Sequence, residues 1–426
     1  MTGVIDTGNT AWVLLCAALV FFMTPGLALF YGGMARTKNV LGTIMQSFFL
    51  IGLIGGEWII LGYTMAFGSD IAGVVGDLDK FGLANVAGNI LPDINIPEMA
   101  FVAFQCMFAI ITPALISGAV IGRMRFGAFA LFALLWAVLI YNPMAHWVWG
   151  GGLLAKLGAL DFAGGLVIHI LSGVSGLVLC ILLGRRRGYG KVPMMPHHLP
   201  MTVLGASMLW FGWFGFNAGS ALSASELAAN AFITTQGAAA FGLVAWSLCE
   251  WIHQGKPTIL GAASGCISGL VAITPAAGFV APLPALWIGA IGGIVCYFAV
   301  VVVKNRLGYD DSLDAFGIHG AGGTWGAIAT GIWASVEINP AGAEGLLYGS
   351  TDLFIAQIIS VVVAYALAIV GTFVIYKGIS LFMATRLNPS EESLGVDISE
   401  HGESGYNQSE LKGSGILSAD GSNSLL

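Results

Sequence analysis

The sequence predicts an all-α membrane protein of eleven transmembrane helices: two five-helix units in a 5+5 inverted repeat, then a final helix. Three observations predict it. The 426 residues are 57% hydrophobic and only 9% charged, against roughly 25% charged in an average soluble domain, and a soluble fold could not hide that much apolar surface. Apolar runs follow one another with short breaks, each near the ~20 residues that cross a bilayer core as a helix. The stretch "GGLVIHILSG" (164–173) also has a second copy in "DAFGIHGAGG" (314–323).

Apolar runs between polar, Gly or Pro breaks place the helices at 11–33, 43–67, 99–121, 126–147, 163–184, 199–220, 232–252, 258–275, 281–303, 315–335 and 352–383. The first run has no basic residues ahead of it and is too long for a signal-peptide core, so it is expected to be a membrane helix. Basic residues set the orientation. Arg36, Lys38, Arg123, Arg125, Arg185, Arg186, Arg187, Lys191, Lys256, Lys304, Arg306, Lys377, Arg386 and Lys412 share one side, 14 of the 16 Lys and Arg, and only Lys80 and Lys156 lie opposite. The amino terminus is therefore expected outside and the carboxyl tail in the cytoplasm, in a plasma or inner membrane.

On this reading residues 1–386 form the membrane domain, with repeats at about 11–184 and 199–335 and the last helix at about 352–383. Residues 387–426 form a cytoplasmic tail whose last ~20 residues, rich in Ser and Gly, are expected to be disordered, while 391–406 can fold against the cytoplasmic face. The six cysteines sit singly in apolar segments with no C-x-x-C pair, which argues against disulfides and thiolate metal sites. No cofactor, no enzymatic turnover and no nucleic-acid partner is expected.

The second histidine stretch repeats more than the histidine. Ile168-His169 parallels Ile318-His319, glycines follow at plus four (Gly173, Gly323) and plus seven (Gly176, Gly326), and an aspartate precedes each, read as Asp161 and Asp314. Five is an odd number of crossings, so the second unit enters from the opposite side. Inverted units of this kind place a transporter's site at their interface near the midplane, and glycines on one helix face allow close packing. An ionisable residue inside the membrane marks a functional site by default. Two histidines meeting there can ligate a metal or haem, relay protons, or line a pore for a polar molecule, and the residues alone leave these open. Metal ligation lacks further ligands nearby in sequence, and haem lacks a supporting motif.

Aromatic clusters sit toward the outer end. "FVAFQCMF" puts Phe104 and Phe108 on one helix face, "NPMAHWVWGGG" ends on Trp149, and "LWFGWFGFNAGSAL" aligns Trp213, Phe216 and Ser220. An interfacial belt explains most membrane Trp and Tyr, including Trp147 and Trp210. Ring faces also attract a small cation by roughly 0.5–2 kcal/mol per contact, and Ser220 can accept a hydrogen bond.

"DFAGGLVIHILSGVSGLV", "WFGFNAGSAL" and "DAFGIHGAGG" resemble the Amt/Mep/Rh ammonium transporter family, and the likeness runs from "TPGLALFYGGM" to "LGVDISEHGESGY". Trp149 points to the bacterial or archaeal Amt branch rather than Rh. The resemblance implies a homotrimer with one pore per subunit in the lipid bilayer. It implies an outer ammonium site at Phe108, Trp149 and Ser220, supported indirectly by Asp161. It also implies a gate of Phe108 and Phe216, and a pore lined by Trp213 and the twin histidines His169 and His319. Asp161 reads equally as a helix cap, and Asp310, Asp311 and Asp314 as cytoplasmic-side structure. The resemblance further implies that Leu394–Tyr406 is regulatory and that a PII-type signalling protein docks at the cytoplasmic face. Ammonium sensing and Rh-like passive ammonia conduction are the rival functions.

Overall fold

The computed structural model describes residues 4–406, so the tail segment expected to be disordered lies outside the described residues. The long helices are α1 (Thr7–Met34), α2 (Thr37–Phe67), α3 (Glu98–Val120), α4 (Phe126–Trp136, continuing through Ala137–Tyr141 and Asn142–Trp149), α5 (Gly165–Leu183), α6 (Leu199–Gly219), α7 (Glu226–Gln254), α8 (Ile259–Ile273), α9 (Pro282–Leu307), α10 (Phe316–Gly320 continuing as Ala321–Trp333) and α11 (Asp352–Ser380). Among the described residues nine helical stretches are long and apolar enough to cross a bilayer, and α8 and α10 fall outside that set. This is a helical membrane protein.

The helices begin earlier than the apolar runs suggest where a polar first turn is capped. The Asp6 side chain accepts from the Asn9 N–H, so α1 starts at Thr7 rather than residue 11. Ser225 accepts from the Ala228 N–H, so α7 starts at Glu226 rather than residue 232. A side-chain acceptor at the cap satisfies one of the orphan N–H groups of the first turn, and hydropathy does not register it.

The two ends of the bundle differ. At one end the 68–97 segment folds into two short antiparallel hairpins, Asp70–Ile71 with Val75–Gly76 and Ile90–Leu91 with Ile96–Pro97. The chain starts there, the Asp6 N–H donating to the Asn95 carbonyl at 2.8 Å. The opposite end carries Arg123, Arg125, Arg186 and Lys304, and there the tail helices α12 (Pro389–Leu394) and α13 (Val396–His401) pack. The tail is pinned by charge: Arg125 bonds Glu391 at 2.6 Å and Glu400 at 2.9 Å, and Arg386 bonds Glu392 at 3.0 Å. Lys38 donates to the carbonyls of Glu392 and Ser393, and the Asp397 carboxylate accepts the Gly42 N–H.

At the centre, α5 and α10 cross where their backbones nearly touch. A Cβ at Gly173 would collide with the Gly320 N–H, and one at Gly323 would lie 3.0 Å from both the Gly165 carbonyl and the His169 Cβ. Both helices open with a π-helical turn, Gly165–Ile170 and Phe316–Gly320, and each turn carries its histidine. Such turns insert one residue into the helical register and are frequent at functional sites.

The structure corrects one alignment. The Asp161 carboxylate accepts the N–H groups of Gly164, Gly165, Leu166 and Val167. At the same distance before the second histidine, Asp311 accepts from Ala315 and Phe316. Asp311 is thus the counterpart of Asp161, and Asp314 is the counterpart of Gly164. Both occupy positive φ, 122° at Gly164 and 64° at Asp314, and the Asp314 carboxylate turns away to Lys304 at 2.6 Å.

Candidate functional site

A cavity of 310 Å³ opens at the hairpin end, lined by Phe67, Phe101, Phe104, Gln105, Phe108, Val148, Trp149, Phe162, Ser220 and Leu222. Three of the sequence-selected residues, Phe108, Trp149 and Ser220, therefore meet in one chamber. Helices α3, α4 and α6 deliver them. Among the described residues no charged side chain lines the chamber, and the polar ones are few. Ser220 donates its hydroxyl hydrogen to the Phe216 carbonyl at 2.8 Å, which leaves its oxygen lone pairs to accept from a guest. The Gln105 Oε1 is buried without a protein partner.

Asp161 does not line this chamber. Its carboxylate is consumed by the α5 cap, while its backbone carbonyl accepts the Trp149 indole N–H at 2.8 Å. The residue thus fixes Trp149 through its main chain and the start of α5 through its side chain. A carboxylate at a helix N-terminus is also favoured by the helix dipole.

Below the chamber the rings close ranks. Phe108 and Phe216 pack at 4.4 Å between centroids and a 35° tilt, and each is only 1% exposed. Phe216 lies 6.1 Å from the His169 ring, and Trp213 stacks on His169 at 5.4 Å. Trp213 is held by its indole N–H, which donates to Thr274 Oγ1 at 3.0 Å. Beneath these rings His169, His319, Trp213 and Phe216 border a gap of 10 Å³ walled otherwise by Met23, Leu27, Phe30, Ile111, Leu115, Ile168, Leu209 and Ile267. That is about the space of one water molecule.

The two imidazoles meet through their Nδ1 atoms at 3.3 Å, with ring centroids 5.3 Å apart. The spacing makes the approach edge to edge rather than face to face. A hydrogen bond at this contact requires one ring to carry its proton at Nδ1 and the other to present a lone pair there, so two neutral rings that make it are opposite tautomers. The Nε2 of His169 is buried with no protein partner.

At the arginine end a wider cavity of 630 Å³ is bordered by Arg185, Arg186, Lys304, Asn305, Ser312 and Asp314 among others. Asp310 is held by Arg186 at 2.6 Å and faces the buried Arg123 at 4.0 Å. Those two ion pairs brace the loop before α10, and Asp310 and Asp311 reach no part of the histidine gap.

Phe67, Phe101, Gln105, Phe162 and Leu222 belong to the chamber and were not singled out from the sequence. Phe101 had a signal, one turn before Phe104 on the same face of α3. Phe67 and Phe162 had none, because loops and a distant helix end bring them in.

Comparison with known proteins identifies the family. A sequence model described as the Ammonium Transporter Family matches residues 11–406. The chain is 53% identical over 405 residues to the ammonium transporter of Bacillus subtilis (strain 168), covering 94% of this chain and 99% of the relative. It is 44% identical over 400 residues to ammonium transporter Amt1 of Archaeoglobus fulgidus, covering 94% and 99%. The crystal structure of Saccharomyces cerevisiae Mep2 superposes with a TM-score of 0.85 at 35% identity, covering 91% of this chain and 89% of that one. The two sequence relatives are named as transporters rather than enzymes. The chain belongs to the ammonium transporter family, in its Amt branch.

Proposed function

We propose that this protein recruits ammonium at the aromatic chamber, strips it of a proton, and passes ammonia along the twin histidines with net movement of charge. Its eleven helices all cross the membrane, the hairpin end faces outside, and the arginine end faces the cytoplasm of a plasma or inner membrane. The observation that carries the reading is continuity. The 310 Å³ chamber, the Phe108–Phe216 pair and the 10 Å³ gap beside His169 and His319 follow one another along a single line of contacts.

Each stage suits its chemistry. Ring faces of Phe108 and Trp149 attract a small cation without trapping it as a carboxylate would, and the Ser220 oxygen accepts one of its hydrogens. Potassium matches ammonium in charge and nearly in size, so the chamber alone separates them poorly. The gap beyond is too small for a hydrated ion, and a bare charge in the membrane interior costs several kcal/mol or more. Ammonium escapes that cost by leaving its proton behind, whereas potassium has none to leave. Neutral ammonia then exchanges hydrogen bonds with the imidazoles in turn. The Nδ1–Nδ1 contact gives the abandoned proton a parallel route: His169 accepts it at its unpartnered Nε2, passes its Nδ1 proton to His319, and His319 releases the one on its own Nε2.

The chain acts as a homotrimer with one pore per subunit, and a PII-type signalling protein meets its cytoplasmic face. The docking of α12 and α13 beside the 630 Å³ mouth supports a regulatory tail.

The test is current from proteoliposomes on a solid-supported membrane after an ammonium pulse, with potassium as control. Current with ammonium and none with potassium is expected. Equal currents would overturn the reading. No current with either, but a shift of internal pH driven by ammonia, would make the protein a gas conductor, and neither signal would leave a sensor.

A further inference from the structure

Helix α11 lies outside both repeats, yet one of its side chains is completely buried against the segment that joins chamber to pore. Gln357 is 0% exposed. Its Nε2 donates to the Leu160 carbonyl at 2.9 Å and to the Ala327 carbonyl at 3.0 Å, and its Oε1 accepts from the Leu160 N–H at 2.9 Å. The amide therefore pairs with the backbone N–H and carbonyl of one residue, Leu160, and ties it to α10. Ser360, one turn further along α11, is equally buried but bonds only the Ala356 carbonyl of its own helix, at 2.7 Å.

The residue after Leu160 is Asp161, from which both the Trp149 indole and the start of α5 are hung. Leu160 thus has its backbone fixed from α11, and Asp161 transmits that position to the chamber and toward His169. A buried polar group that loses its partners leaves them unsatisfied, which costs more than the bond itself contributes. Removing the Gln357 amide strands the Leu160 N–H and carbonyl and cuts the tie to the Ala327 carbonyl, and the junction shifts to find new partners.

We infer that Gln357 is a positioning residue for ammonium recognition, acting through Leu160 and Asp161 to hold Trp149 in the chamber and α5 at its station. The inference rests on the chamber being the ammonium site.

The test compares Gln357→Met with Ser360→Ala. The readout is the ammonium concentration giving half-maximal effect, taken from the currents and, independently of transport, from ammonium-dependent thermal stabilisation of the purified full-length protein. Gln357→Met is expected to raise that concentration about five-fold, the equilibrium effect of losing one hydrogen bond of ordinary strength, while Ser360→Ala leaves it unchanged. Combining Gln357→Met with Trp149→Phe should add less than the sum of the two single effects, because both break the same linkage.

A fall in maximal current alone, with an unchanged half-maximal concentration, would reduce Gln357 to a packing residue and overturn the inference. If Gln357→Met does not fold, Gln357→Glu keeps the acceptor for the Leu160 N–H and loses donation to the two carbonyls. The same rise in concentration is expected from it, and an unchanged value overturns the inference equally. Wild-type protein that is stabilised by ammonium but passes no current would sink the transport reading while leaving Gln357 decided by the stabilisation. Wild-type protein unaffected by ammonium in either assay would overturn the reading of the chamber, and this inference with it.

Discussion

The starts of α5 and α10 share a backbone and differ in what surrounds them. In each, an aspartate caps the helix, a positive-φ residue follows three positions later, and a π turn presents the histidine. The α5 start faces an uncharged aromatic chamber, with four backbone N–H groups on Asp161 and glycine at the positive-φ position. The α10 start faces an arginine- and lysine-lined mouth, with two N–H groups on Asp311 and an aspartate at the positive-φ position. One local device thus serves two opposite openings. One opening is built from rings and the other from charges, so the two openings differ through what surrounds the shared device rather than through the device itself.

The comparison breaks most completely at the histidines. His169→Ala or His319→Ala should abolish or alter the preference for ammonium over potassium, since either opens the gap and breaks the imidazole pair that would pass ammonia in turn. Measured currents with an unchanged ion preference in both variants would mean that the shared Nδ1 bond plays no part in selection.

Next come the caps. Asp161→Ala strands four buried N–H groups, and Asp311→Ala strands two. Caps are typically worth ~1 kcal/mol and up to ~2, so the Asp161 variant should lose about 3 kcal/mol of stability and most of its current. The Asp311 variant should lose roughly half that. Thermal unfolding of the two purified variants ranks them, and equal losses would show that the number of bonded N–H groups does not govern the cap.

The crossing glycines give a smaller contrast. Alanine at Gly173 meets backbone, which cannot yield, whereas at Gly323 its nearest neighbours stand 3.0 Å away. Overpacking typically costs about 1–3 kcal/mol, and the Gly173 variant belongs at the upper end. Reversal of that order in unfolding measurements would mean that α5 and α10 part more readily at Gly320 than beside His169.

Much of this was legible in the sequence because it is carried by local patterns. The His-x3-Gly-x2-Gly spacing located both histidine turns, and helical periodicity placed Phe104 with Phe108 and Trp213 with Phe216. Lysine and arginine placement foretold which loops share an end. The pairing of Asp161 with Asp314 failed because proximity to the histidine is a poor guide when a cap must reach back over a turn. An equal spacing from each histidine points to Asp311. Gln357 left no trace at all: an isolated glutamine in an apolar helix looks the same whether it faces its own backbone or another segment's, and only tertiary structure distinguishes them. The π turns were hidden for a similar reason, since the apolar pattern of a pore helix is nearly continuous on every side.

The smallest effect concerns the tail, which breaks the symmetry of the two halves outright. Lys38, Gly42, Arg125 and Arg187 all precede α6 in the chain, and α12 and α13 bond to each of them. Glu391 sits below the usual carboxylate range because Arg125 hydrogen-bonds to it, aided by the Asn388 N–H. A carboxylate whose docked value is depressed contributes fully above its undocked value, and the contribution fades as pH falls through the docked one. Docking should therefore hold at about pH 7 and loosen from about pH 4 downward. The pair is partly exposed, so salt should weaken it as well. Hydrogen exchange over residues 389–401 at the two pH values reads the effect directly, and Glu391→Gln should lower protection at neutral pH while flattening its pH dependence. Equal protection of the wild-type tail at both pH values would mean that Asp397 on the Gly42 N–H and the Lys38 bonds to backbone carbonyls hold the tail without help from Glu391.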